Sequence, residues 1–209
     1  MNLPRAISVA ELIAKKFRSM PFTGTWAASF GQQERSGSWL IWGESGNGKT
    51  SFALQLGKYL ASIGNRVAYN SMEEGCSLSM RTAFMRHNLQ DVSRRFHLLD
   101  REPYDDIMDR LSKRKSPDIL IIDSIQYFNI DRERYKAMVN TFRDKLFILI
   151  SHAENKQPSG ALASSIRYDA NVKIYVSGYV AIPAGRDVGG AKFTIWQAGA
   201  DSFNPLKTS

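Results

Sequence analysis

Residues 43–50 read GESGNGKT, and these residue types at this spacing can bind phosphate groups. They match the pattern G-x-x-x-x-G-K-S/T, in which glycines let successive backbone N–H groups point inward around an anion. Lys49 can place its ammonium group near the β- and γ-phosphates of a nucleotide, and Thr50 can offer its hydroxyl group to Mg²⁺. An apolar strand pattern precedes the match and a helical pattern follows it, as the motif requires. We therefore expect a phosphate-binding loop made of Gly43, Glu44, Ser45, Gly46, Asn47, Gly48, Lys49, Thr50 and Ser51.

Asp123 is the second candidate, because it ends the apolar run PDILIID of residues 117–123. A carboxylate at the carboxyl end of a buried strand points into the crevice where α/β sheets bind their ligands. There it can hold Mg²⁺ together with Thr50, either directly or through water. Many apolar strands end in an aspartate that only caps a turn, so this assignment depends on its combination with the glycine-rich loop.

Two glutamates follow the strand pattern that comes after the loop and its helix, in the segment YNSMEEG. Hydrolysis of a nucleotide needs a group that orients or deprotonates the attacking water. Glu73 comes first after the strand and is the predicted base, Glu74 is the alternative, and both could instead be solvated loop residues. His152 follows Ser151 at the end of another apolar run. It could contact the γ-phosphate and respond to its loss, or it could be an ordinary hydrogen-bonded residue at a strand end.

Strand and helix patterns alternate around these candidates. Short apolar runs predict strands at 38–42, 66–72, 96–100, 118–123 and 146–152. Amphipathic spacing predicts helices at 49–64, 78–89, 104–114 and 132–144. Nearly continuous apolar runs such as LFILI are typical of parallel strands that helices cover on both faces. We therefore predict an α/β fold with a mostly parallel central sheet and helices on both of its faces.

The N-terminal segment has a different pattern. Apolar residues recur at helical spacing from Ile7 to Met20, which predicts a helix that either packs on its own domain or docks on a neighbouring subunit. Pro21 would end this helix, and residues 21–31 would form a connector. We divide the chain into an N-terminal helix and connector, 1–23, and one domain, 24–209.

Three segments in the last third of the chain depart from the alternation of strands and helices. Residues 153–165 are small and polar, which predicts a mobile loop. Residues 171–185 and 191–199 alternate apolar and polar side chains, as strands do. We expect these strands to form an antiparallel edge at the C-terminal side of the sheet.

Composition limits the function classes that remain. The 209 residues include 28 lysines and arginines against 20 aspartates and glutamates, which gives a formal net charge of +8. This charge fits a polyanionic partner, nucleic acid first, although a basic protein without such a partner has the same composition. Cys76 is the only cysteine, which excludes an intramolecular disulfide and a cysteine metal cluster. No apolar run is long enough to span a membrane and no signal-peptide pattern occurs, so we expect a cytoplasmic protein without a membrane partner.

These motifs, in this order, resemble those of the RecA-like ATPases, the broad group that contains RecA, RadA-type proteins, KaiC-like proteins and DnaB-type helicases. The likeness extends over residues 24–197 and includes the segments WLIWGESGNGKT, YNSMEEG, DILIIDSIQYF and LFILISHAENKQ. It implies a RecA-like P-loop fold, Mg²⁺-dependent ATP hydrolysis with Glu73 activating water, and a γ-phosphate sensor at His152. It also implies a homo-oligomeric ring or filament with nucleotide sites between subunits. The short chain is similar to the minimal ATPases that phages and mobile elements carry.

The resemblance assigns a role to one basic residue late in the chain. The segment PAGRDVGGAKF is similar to a family segment from which an arginine or lysine reaches into the neighbouring subunit's nucleotide site. Arg186 is the first choice for this catalytic finger and Lys192 is the second. Either could instead be an ordinary surface residue.

The resemblance also suggests where DNA would lie. In a ring or filament of this fold, the segment after Asp123 and the loop after His152 face the central channel, where basic residues could follow DNA phosphates. The expected DNA contacts are Arg132, Arg134, Lys136, Lys156 and Arg167. Tyr127 and Phe128 could stack on bases there or be buried. A second basic cluster lies at a predicted helix end, where the helix dipole and solvation explain it; it consists of Arg110, Lys113, Arg114 and Lys115.

The sequence therefore predicts a Mg-ATP-binding and hydrolysing RecA-like ATPase that acts on DNA in replication, recombination or transposition. A KaiC-like signalling ATPase with a protein partner is the first alternative. A P-loop kinase is a second, although such enzymes carry an arginine-rich lid and residues 153–165 have one lysine and no arginine. A structural protein that binds nucleotide without hydrolysing it is a third.

Overall fold

The strands of the chain form one sheet in the computed structural model, which describes residues 5–203. They are β1 (Gly37–Gly43), β2 (Val67–Ser71), β3 (Phe96–Asp100), β4 (Ile119–Asp123), β5 (Leu146–Glu154), β6 (Gln157–Pro158), β7 (Val172–Ser177), β8 (Val180–Gly185) and β9 (Phe193–Thr194). Their order across the sheet is β3-β2-β4-β5-β1-β7-β8-β9, and β6 pairs with the end of β5. The pairs from β3 to β7 are parallel and those from β7 to β9 are antiparallel. This confirms the predicted mostly parallel sheet with an antiparallel C-terminal edge.

Helices cover both faces of the sheet. They are α1 (Val9–Ala14), α2 (Gly24–Phe30), α3 (Lys49–Ser62), α4 (Leu78–Arg86), α5 (Tyr104–Ser112), α6 (Ile125–Phe128), α7 (Arg132–Thr141), α8 (Ala161–Asp169) and α9 (Gln197–Phe203), with a 3₁₀ turn at Leu89–Val92. Among residues 5–203, no helix has both the length and the hydrophobicity of a membrane span.

The apolar strands are buried from both sides. Ile121 and Ile148 belong to the core that packs against α3, while their sequence neighbours Leu120 and Phe147 belong to the core that packs against α5, α7 and α8. Successive side chains of a strand point to opposite faces of the sheet, so a strand covered on both faces is apolar at every position. This explains the continuous apolar runs that the sequence shows.

The parallel register brings several strand ends to one edge of the sheet. Gly43, which ends β1, lies opposite His152 of β5. Asp123, which ends β4, lies beside Ser71 of β2 and Ile150 of β5. The loops that follow these strands therefore meet at the carboxyl edge, where sheets of this type bind ligands.

The N-terminal helix is shorter than predicted. α1 has six residues; the hydroxyl group of Ser8 caps its start by accepting the Glu11 N–H at 3.2 Å, and Lys15 is already extended. None of its residues is buried, and Ile13 is 80% exposed. The prediction of one helix from Ile7 to Met20 is therefore wrong, because the apolar spacing finds no core surface of this chain to stabilise the later turns. The exposure also contradicts the alternative in which this helix packs on its own domain.

Residues 21–31, expected to be a connector, contain α2. Phe30 is fully buried, and Trp26, one turn earlier, stacks on Tyr59 of α3 with ring centroids 5.0 Å apart. An aromatic pair at this spacing gives the short helix an apolar face that packs against the domain. The division of the chain at residues 23 and 24 stays a prediction.

Two C-terminal predictions are also wrong in part. Residues 153–165, predicted as a mobile loop, complete the β5–β6 hairpin and begin α8, whose Ala163 and Ile166 are buried against the sheet. Within 191–199 only β9 is a strand, and α9 begins at Gln197. In both segments tertiary contacts, rather than the alternation of side chains, determine the local structure.

Candidate nucleotide site

The glycine-rich loop connects β1 to α3. Gly46 and Gly48 have φ values of 76° and 96°, a region that glycine adopts without steric cost. Gly48 is constrained twice, because a Cβ atom there would lie 2.9 Å from Cδ1 of Tyr179. The loop leads into the first turn of α3, where free backbone N–H groups carry partial positive charge. Backbone of this shape is suited to an anion.

Asn47 fastens the loop to the turn between β7 and β8. Its Nδ2 donates to the Ser45 carbonyl group at 3.1 Å, and its Oδ1 accepts the Gly178 N–H at 2.7 Å. The Tyr179 N–H donates to the Asn47 carbonyl group at 3.2 Å. The conformation of the loop therefore depends on a hairpin that is distant in sequence.

Asp123 and Thr50, the expected metal-binding pair, lie in contact. Thr50 Oγ1 donates a hydrogen bond of 2.9 Å to Oδ2 of Asp123, and the Tyr69 hydroxyl group donates to the same oxygen. Burial raises the pKa of Asp123, and the hydrogen bonds from Tyr69 and Thr50 act against that rise. Burial also raises the pKa of Tyr69 well above its usual value, so this phenol stays protonated as a donor. A buried carboxylate of this kind is stabilised by a nearby cation.

Lys49 lies half-buried near this carboxylate. Its Nζ donates to the Glu44 carbonyl group at 3.0 Å. Burial lowers the pKa of Lys49, while the negative charges of Asp123 and Glu73 act in the opposite direction. An additional anion beside Nζ would favour the charged ammonium form.

Glu73 and His152 contact each other. Oε2 of Glu73 lies 3.3 Å from Nε2 of His152, and Ser124 Oγ lies 3.5 Å from the same nitrogen. The backbone at Glu73 is held in place, because its N–H and that of Met72 donate to the Asp123 carbonyl group at 3.2 Å and 2.7 Å, respectively. The predicted base and the predicted γ-phosphate sensor are therefore neighbours.

Gln126, which was not predicted, joins the His152 strand end to the segment that begins α8. Its Nε2 donates to Ser151 Oγ at 2.8 Å and to the Ser159 carbonyl group at 3.2 Å. Its Oε1 accepts the His152 N–H at 3.4 Å. One side chain thus bridges the end of β5 and the residues that follow the β5–β6 hairpin.

These groups line one cleft of about 360 Å³ at the carboxyl edge of the sheet. The predicted residues that line it are Lys49, Thr50, Glu73, Glu74, Asp123 and His152. Both glutamates are present, so the geometry keeps both as candidate bases. Arg86 and Tyr179 also line the cleft and were not predicted. No sequence signal marks Arg86, because a basic residue in the last turn of a helix is already explained by the helix dipole.

Known proteins similar to this chain include two RadA proteins. No protein-family model matches the chain. It is 34% identical over 119 residues to the DNA repair protein RadA of Chlamydia trachomatis, a match that covers 56% of this chain and 25% of that protein. RadA of Chlamydia muridarum is 38% identical over 119 residues, with the same coverage. The chain spans about a quarter of the length of these curated relatives.

Solved structures similar to this one include the flagellar accessory protein FlaH of Methanocaldococcus jannaschii, with a TM-score of 0.57 and 16% identity over 77% of this chain and 80% of that chain. A helicase ATPase domain has a TM-score of 0.55 and 19% identity, with coverages of 78% and 82%. A KaiC-like protein of Pyrococcus horikoshii has a TM-score of 0.54 and 18% identity, with coverages of 75% and 82%. The chain has the RecA-like ATPase fold.

A second cavity adjoins the phosphate cleft of this RecA-like domain. It has a volume of about 640 Å³ and shares Ser51, Arg86 and Tyr179 with the cleft. The ring of Tyr179 meets that of Trp196 edge to face, with centroids 5.0 Å apart, and Trp196 is 56% exposed. The cavity therefore offers an aromatic surface beside the first turn of α3.

Arg186 does not lie in the nucleotide cleft of its own chain. It follows β8, whose last residue, Gly185, pairs with Val172 at the amino end of β7. The Arg186 carbonyl group accepts the Gln33 Nε2 at 3.0 Å, and Arg186 lines a separate cavity of about 600 Å³. Lys192, the second choice, is exposed between β8 and β9. Within one RecA-like domain, the finger candidates and the phosphate loop are thus apart.

Two of the predicted DNA-binding residues meet around Trp42. The Arg167 guanidinium group lies over the Trp42 ring, 5.3 Å from its centroid, and the Lys156 carbonyl group accepts the Trp42 Nε1 at 3.1 Å. The others are on α7, where the Arg134 guanidinium group lies 5.1 Å from the centroid of the Tyr104 ring; they are Arg132, Arg134 and Lys136. Tyr127 is 52% exposed, whereas Phe128 is buried and packs in the core, so the predicted stacking role does not apply to Phe128.

Proposed function

We propose that this protein binds ATP with Mg²⁺, hydrolyses it, and acts on DNA in replication, recombination or transposition. The observation that carries the proposal is the hydrogen bond of 2.9 Å between Thr50 Oγ1 and Asp123 Oδ2 beside the glycine-rich loop. The names of the RadA relatives and of the helicase ATPase domain support the ATPase and DNA parts of the proposal.

The side chains at this point fit Mg²⁺. Thr50 and Asp123 supply hard oxygen donors, and Asp123 is a buried carboxylate with a raised pKa. Within residues 5–203 no cluster of three or more acidic, histidine or cysteine side chains could hold a metal alone. Mg²⁺ suits such a place, since it is usually bound through one or two carboxylates together with substrate phosphates. When bound, it would neutralise charge on those phosphates.

The protein's own groups would carry out the other steps. Backbone N–H groups of residues 46–50 would hold the phosphates, and Lys49 would turn its ammonium group from the Glu44 carbonyl group toward them. Glu73 would accept a proton from the attacking water at a carboxylate oxygen. His152, 3.3 Å from Glu73, would orient that carboxylate in the absence of a γ-phosphate and contact the phosphate in its presence. Gln126 would then pass the change at His152 to the β5–β6 hairpin.

The second cavity would hold the nucleoside part of ATP. It adjoins Ser51, the residue after the metal-binding threonine, and so continues in the direction that a nucleotide follows away from its phosphates. Trp196 would stack on the base there, since its ring is more than half exposed.

Phosphate release and DNA titration test this function directly. With Mg²⁺ and ATP we expect steady release of phosphate that EDTA stops and that DNA accelerates, because the predicted DNA contacts follow the strand that ends in His152. Binding of labelled single- and double-stranded DNA should weaken as salt increases. ATP hydrolysis without any DNA binding, at low or moderate salt, would favour a KaiC-like signalling ATPase. That alternative is supported by a KaiC-like structure whose TM-score of 0.54 nearly equals the 0.55 of the helicase ATPase domain.

We further propose that the nucleotide sites lie between subunits of a homo-oligomer, with Arg186 acting on the neighbour's ATP. Arg186→Ala alone should then lower the hydrolysis rate by about 10³-fold or more, which is typical of such a finger. A 1:1 mixture with Lys49→Ala should recover about a quarter of wild-type activity, because one interface in four pairs an intact phosphate loop with an intact arginine. Phosphate release from the mixture, measured against each variant alone, tests this.

The same mixing experiment with Lys192→Ala identifies the alternative finger. If only the Lys192 mixture recovers activity, Lys192 has the role. If Arg186→Ala hydrolyses ATP at the wild-type rate in the assembled state, Arg186 is a surface residue and the proposal fails for it.

A further inference from the structure

The loops that precede four neighbouring strands form the edge of the sheet opposite the nucleotide cleft. Backbone hydrogen bonds join these loops side by side. The Val67 N–H donates to the Arg95 carbonyl group at 2.7 Å, and this links the starts of β2 and β3. The Asp118 N–H donates to the Arg66 carbonyl group at 2.8 Å, and the Leu146 N–H donates to the Asp118 carbonyl group at 3.1 Å. The residues before β3, β2, β4 and β5 therefore form one continuous row, which we call the amino edge.

The amino edge is strongly basic. Its exposed basic side chains are Arg94, Arg95, Lys113, Arg114, Lys115 and Arg143. In the loops that make up the edge, Asp144 is the one exposed carboxylate, because Asp118 is half-buried in an ion pair of 2.7 Å with Arg66. The next acidic side chain, Asp109, lies one turn earlier on α5. More than half of the formal charge of +8 is thus concentrated on one edge of the domain.

The loop between α5 and β4 is held firmly against the start of β5. The buried Lys145 donates from Nζ to Ser116 Oγ and to the Pro117 carbonyl group, both at 2.8 Å. The Ser116 N–H closes a turn on the Lys113 carbonyl group at 3.0 Å. The charges of residues 113–115 are therefore presented from a fixed position rather than from a free loop.

The helix dipole does not account for this arrangement. Arg110, the basic residue in the last turn of α5, is engaged by Glu102 and so does not face outward freely. Arg94 and Arg143 lie on other loops, away from the end of α5. Across residues 5–203, the side chains of Arg94, Arg114 and Lys115 take part in no ion pair. These cations are available to a ligand from outside the chain.

We propose that the amino edge is a second polyanion-binding surface and that it binds the phosphate backbone of nucleic acid. Four strands at roughly 4.8 Å spacing give a basic row about 14 Å long, along which duplex DNA carries roughly eight phosphates. Backbone contacts of this kind require only cations. A protein interface would have an apolar centre, yet none of the exposed large hydrophobic side chains among the described residues belongs to these loops. The proposal does not depend on ATP hydrolysis or on DNA in a central channel.

The test compares two variants of the full chain that each lose three positive charges. The edge variant is Arg94→Gln/Arg114→Gln/Lys115→Gln, and the control is Lys15→Gln/Lys16→Gln/Arg81→Gln, all at exposed positions. Binding of labelled duplex DNA is measured from low to moderate salt. The edge variant should bind at least about tenfold more weakly at low salt, and the slope of log K against log salt should become shallower by roughly 2 to 3. The control should bind as the wild type does, and phosphate release without DNA should be unchanged in both variants.

Other outcomes overturn the proposal. Wild-type affinity and slope in the edge variant would show that the amino edge does not bind DNA, even if Lys156→Gln/Arg167→Gln abolishes binding and so supports the channel contacts. Loss of binding to phosphatidylserine-containing vesicles with unchanged DNA binding would assign the edge to a membrane surface. If the wild type binds no DNA at any salt concentration, the amino edge and the DNA part of the proposed function both fail, while phosphate release still decides the ATPase part.

Discussion

Replacing Lys49 with alanine should abolish detectable ATP hydrolysis and weaken Mg-ATP binding by about 30- to 5,000-fold, since removing one partner of a buried charge pair costs roughly 2–5 kcal/mol. Lys49 reaches the same cleft as Thr50, Asp123 and Glu73, and the phosphates would bring several negative charges beside it. Without its ammonium group the site would hold two carboxylates and a triphosphate with less cationic compensation. Calorimetry with Mg-ATP measures the affinity, and phosphate release measures the rate.

The substitution should not unfold the protein. Burial lowers the pKa of Lys49, which means that the ligand-free fold disfavours its charged form. Loss of this side chain should therefore leave the free energy of unfolding unchanged or slightly higher. Lys58→Ala is the matched control, because Lys58 lies on the same helix and pairs with Asp91 at 2.7 Å, outside the cleft. If Lys49→Ala binds Mg-ATP with wild-type affinity, the glycine-rich loop is not the phosphate site.

Glu73→Gln should bind ATP with nearly wild-type affinity but hydrolyse it about 10²- to 10⁴-fold more slowly, which is the usual contribution of a general base. Glutamine keeps the shape and one acceptor oxygen, so contact with His152 at 3.3 Å can persist. It cannot accept a proton from water at neutral pH. Single-turnover phosphate release, together with nucleotide affinity, separates the chemical step from binding.

Glu74→Gln decides between the two glutamates of the cleft. Both line the same cavity, but only Glu73 contacts His152. We expect Glu74→Gln to retain hydrolysis within a few-fold of the wild type. The reverse result, with a slow Glu74 variant and a normal Glu73 variant, would transfer the role of base to Glu74.

The candidate site could be predicted where local sequence determines local structure. The GESGNGKT loop combines glycines at positive φ with the first turn of a helix, and both properties follow from residue type. Asp123 and His152 each end an apolar run, and parallel strands bring their carboxyl ends to one edge. A prediction of this kind requires only that the strands be parallel and buried, which the continuous apolar runs already indicate.

Predictions were wrong where the stability of a segment depends on a surface elsewhere in the chain. The helical spacing from Ile7 to Met20 yields only six helical residues, because no part of the core packs against it. Residues 21–31 gain a helix because Trp26 finds Tyr59. The short α8 forms because Ala163 and Ile166 reach the sheet.

The sequence by itself determined the phosphate loop, the buried strands with their polar ends, and the charge of the protein, since each depends on residue type and on spacing along a single element. Only the tertiary structure decided which elements meet. Strand order brought Arg86 and Tyr179 to the cleft and separated Arg186 from it. It also aligned four unrelated loops into the basic amino edge. These contacts join residues far apart in the chain, and their geometry follows from how the sheet is arranged rather than from any local pattern.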